Sequence, residues 1–353
     1  MPHAQSPTTK AAILFELGKP LRLLDVNIPP LKPGQVLVDV AYSGVCHSQL
    51  NEARGRRGPD NYLPHALGHE GSGTVRAVGE NVTKVKTGDH VVLSWLKGSG
   101  ADVPGTVYAS AAGNINSGAV ATFMRQTVTC ENRITVIPDS MPLKLAALLG
   151  CAIPTGAGVI FNTSGLKPNE SVAVFGAGGI GLSAIMGAVS IGASPIIAVD
   201  ILPEKLAKAQ ELGATHIINA NDGDPIAAIR AITGGKGVRV ALECAGVVAV
   251  METAFESVTA GGGLCIVAGN PPHGQTIRIN PFSLISGKRI VGTWGGESKP
   301  DVDIPRYVEM FTSGKMALQS MGTAEYSLED VNHALDDLEG GRVIRAMIRM
   351  EES

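Results

Sequence analysis

From Lys10 to Val40 the chain reads as short strands with turns, running through AAILF, LRLLDV and the start of QVLVDVAYSGV, separated by Gly18-Lys19-Pro20, Pro29-Pro30 and Pro33-Gly34. Apolar and polar positions that alternate with period two, punctuated by Gly and Pro, predict short half-buried strands and a β-rich region. The same pattern predicts strands over 73–78 and 90–94, with Gly79, Gly88 and Asp89 at the turns, and it resumes at Ala121. Pro142 to Leu149 reads as a short helix leading into Cys151. Residues 97–119, rich in Gly, Ala, Ser and Asn, show no period and predict a long surface excursion.

After Lys167-Pro168-Asn169 the pattern changes. Continuous apolar runs near 172–175, 196–199, 216–218, 238–243, 264–268 and 290–293 lie a helix length apart. Such runs suit strands buried on both faces. Pro203 with Gly213, and Asp224-Pro225 with Gly234-Gly235, mark the starts and ends of two intervening helices. The fold class is therefore α/β: a β-rich domain followed by a doubly wound parallel sheet that binds its ligand at the carboxyl ends of the strands. From Gly295 the chain returns to mixed structure, with a helix pattern near 328–338 and no repeat of solenoid length anywhere.

The first apolar run of the parallel sheet enters Gly176, Gly178 and Gly181, with Gly179 and Ile180 between them. In a strand-to-helix turn the first glycine permits the turn. The second lets backbone N–H groups approach a pyrophosphate, and the third lets helix and sheet pack closely. Phosphate would sit at the helix N-terminus. Asp200, ending the next strand pattern, is placed to accept from a ribose diol and to repel a 2′-phosphate, which favours NAD over NADP. Taken alone, the glycines also fit a methyltransferase or a nucleotide-sensing module.

With 353 residues there is chain enough for about two domains. A net charge of −3 without basic runs excludes a nucleic-acid partner, and no apolar run reaches membrane-spanning length. The N-terminal apolar run is broken at Glu16, so a secretory core is not expected and a cytoplasmic location is. Cys46, Cys130, Cys151, Cys244 and Cys265 are widely spaced and odd in number, an arrangement that points to core thiols or metal ligands rather than disulfides.

Candidate chemistry concentrates at Cys46-His47-Ser48 on a turn after a strand, at Gly68-His69-Glu70-Gly71, and at Cys151. Two cysteines and a histidine suit a zinc site with an open fourth position. With GVCHS, GHEGSGTVRAVGENVTKVKTGDHV, CAIPTGAG, GAGGIG with its distal VDI, and GTWGGESKPDVDIP in order, the chain resembles the zinc-dependent medium-chain dehydrogenases, in particular their alcohol dehydrogenase branch. The resemblance covers essentially the whole chain. It implies a GroES-like zinc domain over 1–152 and 295–353 and a Rossmann domain over 153–294 that binds NAD. It also implies hydride transfer between an alcohol and its aldehyde or ketone, and a homodimer or homotetramer joined at the KRIVGTW edge.

By resemblance Cys46, His69 and Cys151 hold the metal, with Glu70 just behind it. Ser48 passes on the alcohol proton. Thr155 and Ile180 line the nicotinamide, His47 and Arg345 reach the pyrophosphate, Lys205 assists at the adenosine ribose, and Trp95, Ser117 and Gly118 wall the substrate pocket. Three departures from the family pattern stand out. Gln49 replaces an aspartate that orients the ligand histidine and would accept from the imidazole N–H instead. Asn51 replaces a titratable histidine, which leaves the proton to exit by water or His47. Residues 97–119 lack the four cysteines of a structural zinc lobe, so one catalytic zinc is expected per subunit, and the loop would border the substrate entrance or a subunit contact. A zinc-free quinone or enoyl reductase, which would lack these ligands, and a non-catalytic nucleotide-binding or structural member are the competing readings.

Overall fold

The computed structural model describes residues 7–350; the first six residues, part of the N-terminal stretch read for a secretory core, lie outside them. The chain divides into two compact units, Met1–Cys151 with Lys299–Val308 and Thr323–Ser353, and Ala152–Ser298 with Glu309–Gly322.

The first unit is β-rich. Strands Thr8–Leu14, Arg22–Asn27, Val107–Ser110, Gly113–Asn116 and His65–Ala66 close into a small barrel. A larger sheet runs in the order Ile134–Val136, His90–Ser94, Glu70–Val78, Gln35–Val45, Arg345–Arg349 and Thr323–Ser327, with Gln126–Cys130 also paired to Gln35–Val45. The long strand Gln35–Val45 pairs with Glu70–Val78 through two register irregularities. Such irregularities re-aim side chains near a sheet end, and this strand runs directly into Cys46.

Residues 97–119 are not one long surface excursion as expected, since part of them is barrel strand. Residues 107–116 form a hairpin of the barrel, and Tyr108 and Ile115 are fully buried in the barrel core beside Ile13, Val26 and Met124. Periodicity missed it because each strand has four residues, too few to display alternation against a background of Ala, Ser and Gly. Burial pushes the Tyr108 hydroxyl up to about 12, and its oxygen accepts from the Val128 N–H at 2.7 Å. The preceding segment is tied down by carboxylates. Glu131, almost fully buried, accepts from the N–H groups of Thr83 (2.6 Å), Lys84 (2.5 Å) and Ala101 (3.0 Å). Asp301 accepts from the Ser99 N–H and pairs with Lys84.

The second unit carries the six-stranded, all-parallel Rossmann sheet in the order His216–Asn219, Ile196–Asp200, Val172–Phe175, Val240–Glu243, Leu264–Val267, Arg289–Gly292. Chain order reverses between Val172–Phe175 and Val240–Glu243, the switch point at which such sheets bind ligands. Helix Pro225–Ile232 begins as read, with the Asp224 carboxylate accepting from the Ile226 N–H and Pro225 in the first turn. The late helix is Val331–Glu339, three residues later than the pattern placed its start. Among the described residues no single helix is long and apolar enough to cross a membrane.

Burial alone would raise the Glu131 carboxyl, but the N–H groups of Ala101, Lys84 and Thr83 outweigh it and hold it below the usual glutamate range. A lowered folded pKa stabilises above the unfolded value, and the contribution is lost as pH falls through the folded value. Glu131→Ala should therefore lower unfolding stability by about 2 kcal/mol at neutral pH. In urea titrations the gap to the parent protein should close in acid; a gap that persists unchanged into acid would contradict the anchoring role.

Candidate functional site

The ligand-type residues come from three chain segments of the first unit. Cys46 follows strand Gln35–Val45 with extended backbone and stands at the N-cap of helix His47–Ala53, so the turn expected at His47-Ser48 is the first turn of a helix. His69 directly precedes strand Glu70–Val78. Cys151 ends the tight helical turn Ala147–Gly150. One donor atom from each of Cys46, His69, Glu70 and Cys151 lies within 4.8 Å of the other three. Donors around tetrahedral zinc, with bonds of about 2.0 to 2.3 Å, sit about 3.3 to 3.8 Å apart. The set can close on one ion with small side-chain shifts.

The chemistry of these donors fits that ion. His69 Nε2 is buried and has no hydrogen-bond partner, a costly state for an imidazole nitrogen unless a cation occupies the space it faces. The Cys46 thiol is held well below the usual cysteine range, chiefly by its hydrogen bond with Cys151. Burial opposes this, and His69 and Arg345 add to it. A thiolate is the form that binds metal.

Glu70 is fully buried. Its Oε1 pairs with Arg345 from strand Arg345–Arg349, while Oε2 is buried without a hydrogen-bond partner. The slot for this carboxylate depends on two glycines. A Cβ on Gly44 would stand 2.7 Å from the Glu70 carboxyl carbon, and one on Gly150 would stand 2.4 Å from the Leu93 carbonyl and 2.8 Å from Glu70 Cβ. Gly44 belongs to the GVCHS stretch, so the sequence carried this signal without declaring it. Arg345, expected at a pyrophosphate, is buried and paired with Glu70.

Gln49 also differs from expectation. Its Oε1 accepts from the Gly68 backbone N–H, not from the imidazole, and its Nε2 donates to Glu52 at 3.2 Å. An amide one methylene longer than aspartate reaches past the ring to the backbone beside it. Ser48 is half-buried and His47 exposed on the same helix turn. Trp95 packs edge-on to His69, ring centroids 6.5 Å apart. Ser117 is buried with its hydroxyl donated to the Thr106 carbonyl at 2.9 Å, and Gly118 has open space where a side chain would begin.

In the second unit Gly176 has φ of 91° at the end of strand Val172–Phe175, and a Cβ on Gly181 would strike the Gly176 carbonyl at 1.9 Å. Gly178 has nothing within 4 Å of its Cβ position, which leaves the backbone open to a ligand. Gly179 begins the helix Gly179–Ser190, and Ile180 is half-buried in its first turn. Asp200 already fastens this turn: Oδ2 accepts from the Ala177 N–H at 2.7 Å and Oδ1 from Ile201 and Leu202. Thr155 is buried on helix Ala152–Gly158 with its hydroxyl unpartnered, and Lys205 is half-buried in the helix after Asp200.

One residue here escaped the sequence reading. Glu243, fully buried at the carboxyl end of the strand flanking the switch point, accepts from the N–H groups of Ala245 and Gly246. It thereby holds the loop that packs against Gly176. Burial raises its carboxyl despite these N–H groups. An acid ending the apolar run VRVALE was the available signal.

The family profile described as zinc-binding dehydrogenase matches residues 179–313, and that of the alcohol dehydrogenase GroES-like domain matches 32–139. The chain is 35% identical to an S-(hydroxymethyl)glutathione dehydrogenase of Synechocystis sp., over 96% of this chain and 99% of that protein. Its fold is similar to the crystal structure of benzyl alcohol dehydrogenase from Acinetobacter calcoaceticus, with TM-score 0.89, 32% identity and 98% and 100% of the two chains covered. An alcohol dehydrogenase zinc-binding domain protein from Burkholderia ambifaria gives TM-score 0.90 at 34% identity, with the same coverage.

Breaking a buried ion pair leaves one charge uncompensated, whereas replacing both partners does not. Arg345→Met should therefore cost about 3 to 5 kcal/mol in urea unfolding, and adding Glu70→Gln should recover much of the loss. Costs that simply add would show that the pair is not coupled.

Proposed function

Because the chain belongs to the zinc-binding, medium-chain alcohol dehydrogenase family, we propose that it interconverts an alcohol and its aldehyde or ketone with NAD as hydride carrier and with zinc held by Cys46, His69 and Cys151. The observation that carries this reading is the buried convergence of those donors around an unpartnered imidazole nitrogen. A zinc-free reductase or a purely structural member has no use for it.

When bound, zinc supplies a Lewis acid for the substrate oxygen and NAD a hydride acceptor. The chain's own residues do the rest. Cys46 and Cys151 bring two thiolates that neutralise the ion. Arg345 holds Glu70 behind them as a reserve ligand, since only Oε1 is committed. Ser48, in the first turn after Cys46, takes the hydroxyl proton of the substrate and passes it outward; Asn51 cannot titrate, so water or His47 completes the route. Gly176 to Gly181 receive the pyrophosphate, Asp200 the ribose diol with Lys205 beside it, and Thr155 and Ile180 face the nicotinamide.

The substrate proposed is a modest, neutral primary or secondary alcohol, with Trp95 narrowing the pocket while Ser117 and Gly118 leave it open. The glutathione adduct named for the Synechocystis relative is anionic, and the hairpin 107–116 carries no Lys or Arg to receive it. The benzyl alcohol of the Acinetobacter enzyme fits a neutral pocket walled by Trp95. Two copies would join at the edge strand Arg289–Gly292, beside which Phe282, Ile285 and Trp294 are 69%, 78% and 73% exposed.

Dialysed protein should hold about one equivalent of zinc and form NADH from neutral alcohols, benzyl alcohol among them. Cys46→Ser should lose both metal and turnover. Full activity in that variant, or a preference for NADP, would overturn the reading. Light scattering should report a dimer or tetramer, and Ile285→Glu should shift it toward monomer; a monomeric parent protein would refute the edge pairing.

A further inference from the structure

Glu52, Asp60 and His65 form a second group whose donor atoms all lie within 4.8 Å of one another. We propose that they bind an exchangeable divalent transition cation, separate from the cysteine site and using nitrogen and oxygen donors only. Glu52 comes from helix His47–Ala53, His65 from strand His65–Ala66, and Asp60 from the segment between them. The side chains of His65, Asp60 and Glu52 are 10%, 11% and 21% exposed, so this is a recess rather than a solvated acidic face.

The geometry is close to that of a coordination sphere. His65 Nε2 is 2.8 Å from Asp60 Oδ2 and 3.7 Å from Glu52 Oε1. With metal–ligand bonds of about 2.1 Å, neighbouring donors lie about 3.0 Å apart in an octahedron and about 3.4 Å apart in a tetrahedron. The two observed separations bracket that range. Each carboxylate is also held from behind. The Tyr62 N–H donates to Asp60 Oδ1 at 2.8 Å, and Gln49 Nε2 and Arg57 Nη1 donate to Glu52 Oε2 at 3.2 and 3.4 Å. Oδ2 and Oε1 are thereby left facing the imidazole, and outer donors of this kind orient metal-ligating carboxylates.

Charge supports the same conclusion. An imidazolium can neutralise only one of the two carboxylates, and Arg57, which pairs with Glu52, is 58% exposed and reaches only its outer oxygen. A divalent ion in place of the imidazole proton neutralises both. One imidazole and two carboxylates suit zinc, cobalt, nickel or manganese and lack the thiolates that make the cysteine site retentive. Three protein ligands leave positions for water, so this ion exchanges on dialysis and does not alter the count of one tightly held zinc. Through Gln49, which bonds both Glu52 and the Gly68 N–H, a filled site would also stiffen the backbone just before His69.

The test is calorimetric titration of Zn²⁺ into zinc-loaded full-length protein, with retained zinc measured separately by mass spectrometry. The parent protein should take up one further equivalent. His65→Gln and Asp60→Asn should each weaken that uptake roughly ten-fold or more while keeping the tightly held zinc. Cys46→Ser should do the reverse, so failure here and failure of the dehydrogenase reading are distinguishable. If the parent takes up no further zinc, or takes it up unchanged in both the His65 and the Asp60 variants, the cluster is an ion pair only and the proposal falls.

Discussion

Two thiols, an imidazole and a carboxylate within 4.8 Å of one another and largely out of water are stable only if something neutralises them. Much of the first unit serves that requirement. The long strand Gln35–Val45 delivers Cys46, its neighbour Glu70–Val78 begins at the carboxylate, and a tight helical turn delivers Cys151. Arg345 takes one oxygen of Glu70, and Gly44 and Gly150 leave the space for it. A cation is the remaining partner that the unpartnered imidazole nitrogen calls for. A cation held there would explain why ionisable groups occupy a region that could have been packed with apolar side chains.

The second unit solves a different electrostatic problem. Its sheet reverses at the strand that enters the glycine turn, and under the proposed function the backbone there would receive a polyanion. Asp200 and Glu243 steady the surrounding loops by accepting backbone N–H groups, one from Ala177 and the other from Ala245 and Gly246. Both acids fix loop geometry through their own hydrogen bonds, so the turn is formed before any ligand arrives.

The parts of this organisation that repeat over many residues were legible in the sequence. Six apolar runs at helix-length intervals announced the parallel sheet, and the glycines and Asp200 were legible as the ends of its strands beside the switch point. Cys46, His69 and Cys151 were legible as chemistry because their types are scarce and their flanking motifs specific. What escaped were short or long-range features. The hairpin 107–116 is too brief to show a period, the Glu70–Arg345 pair joins positions 275 residues apart, and Gln49 chose a backbone N–H over the imidazole for reasons of reach. Glu52, Asp60 and His65 carry no motif, and only the fold brings them together.

X-ray absorption at the zinc edge on dialysed protein reads whether the buried donors of the first unit hold zinc. Zinc held by Cys46, Cys151 and His69 should show about two sulfur neighbours at about 2.3 Å, with the remainder nitrogen or oxygen at about 2.0 to 2.2 Å. A spectrum without sulfur, or with four sulfurs, would contradict it.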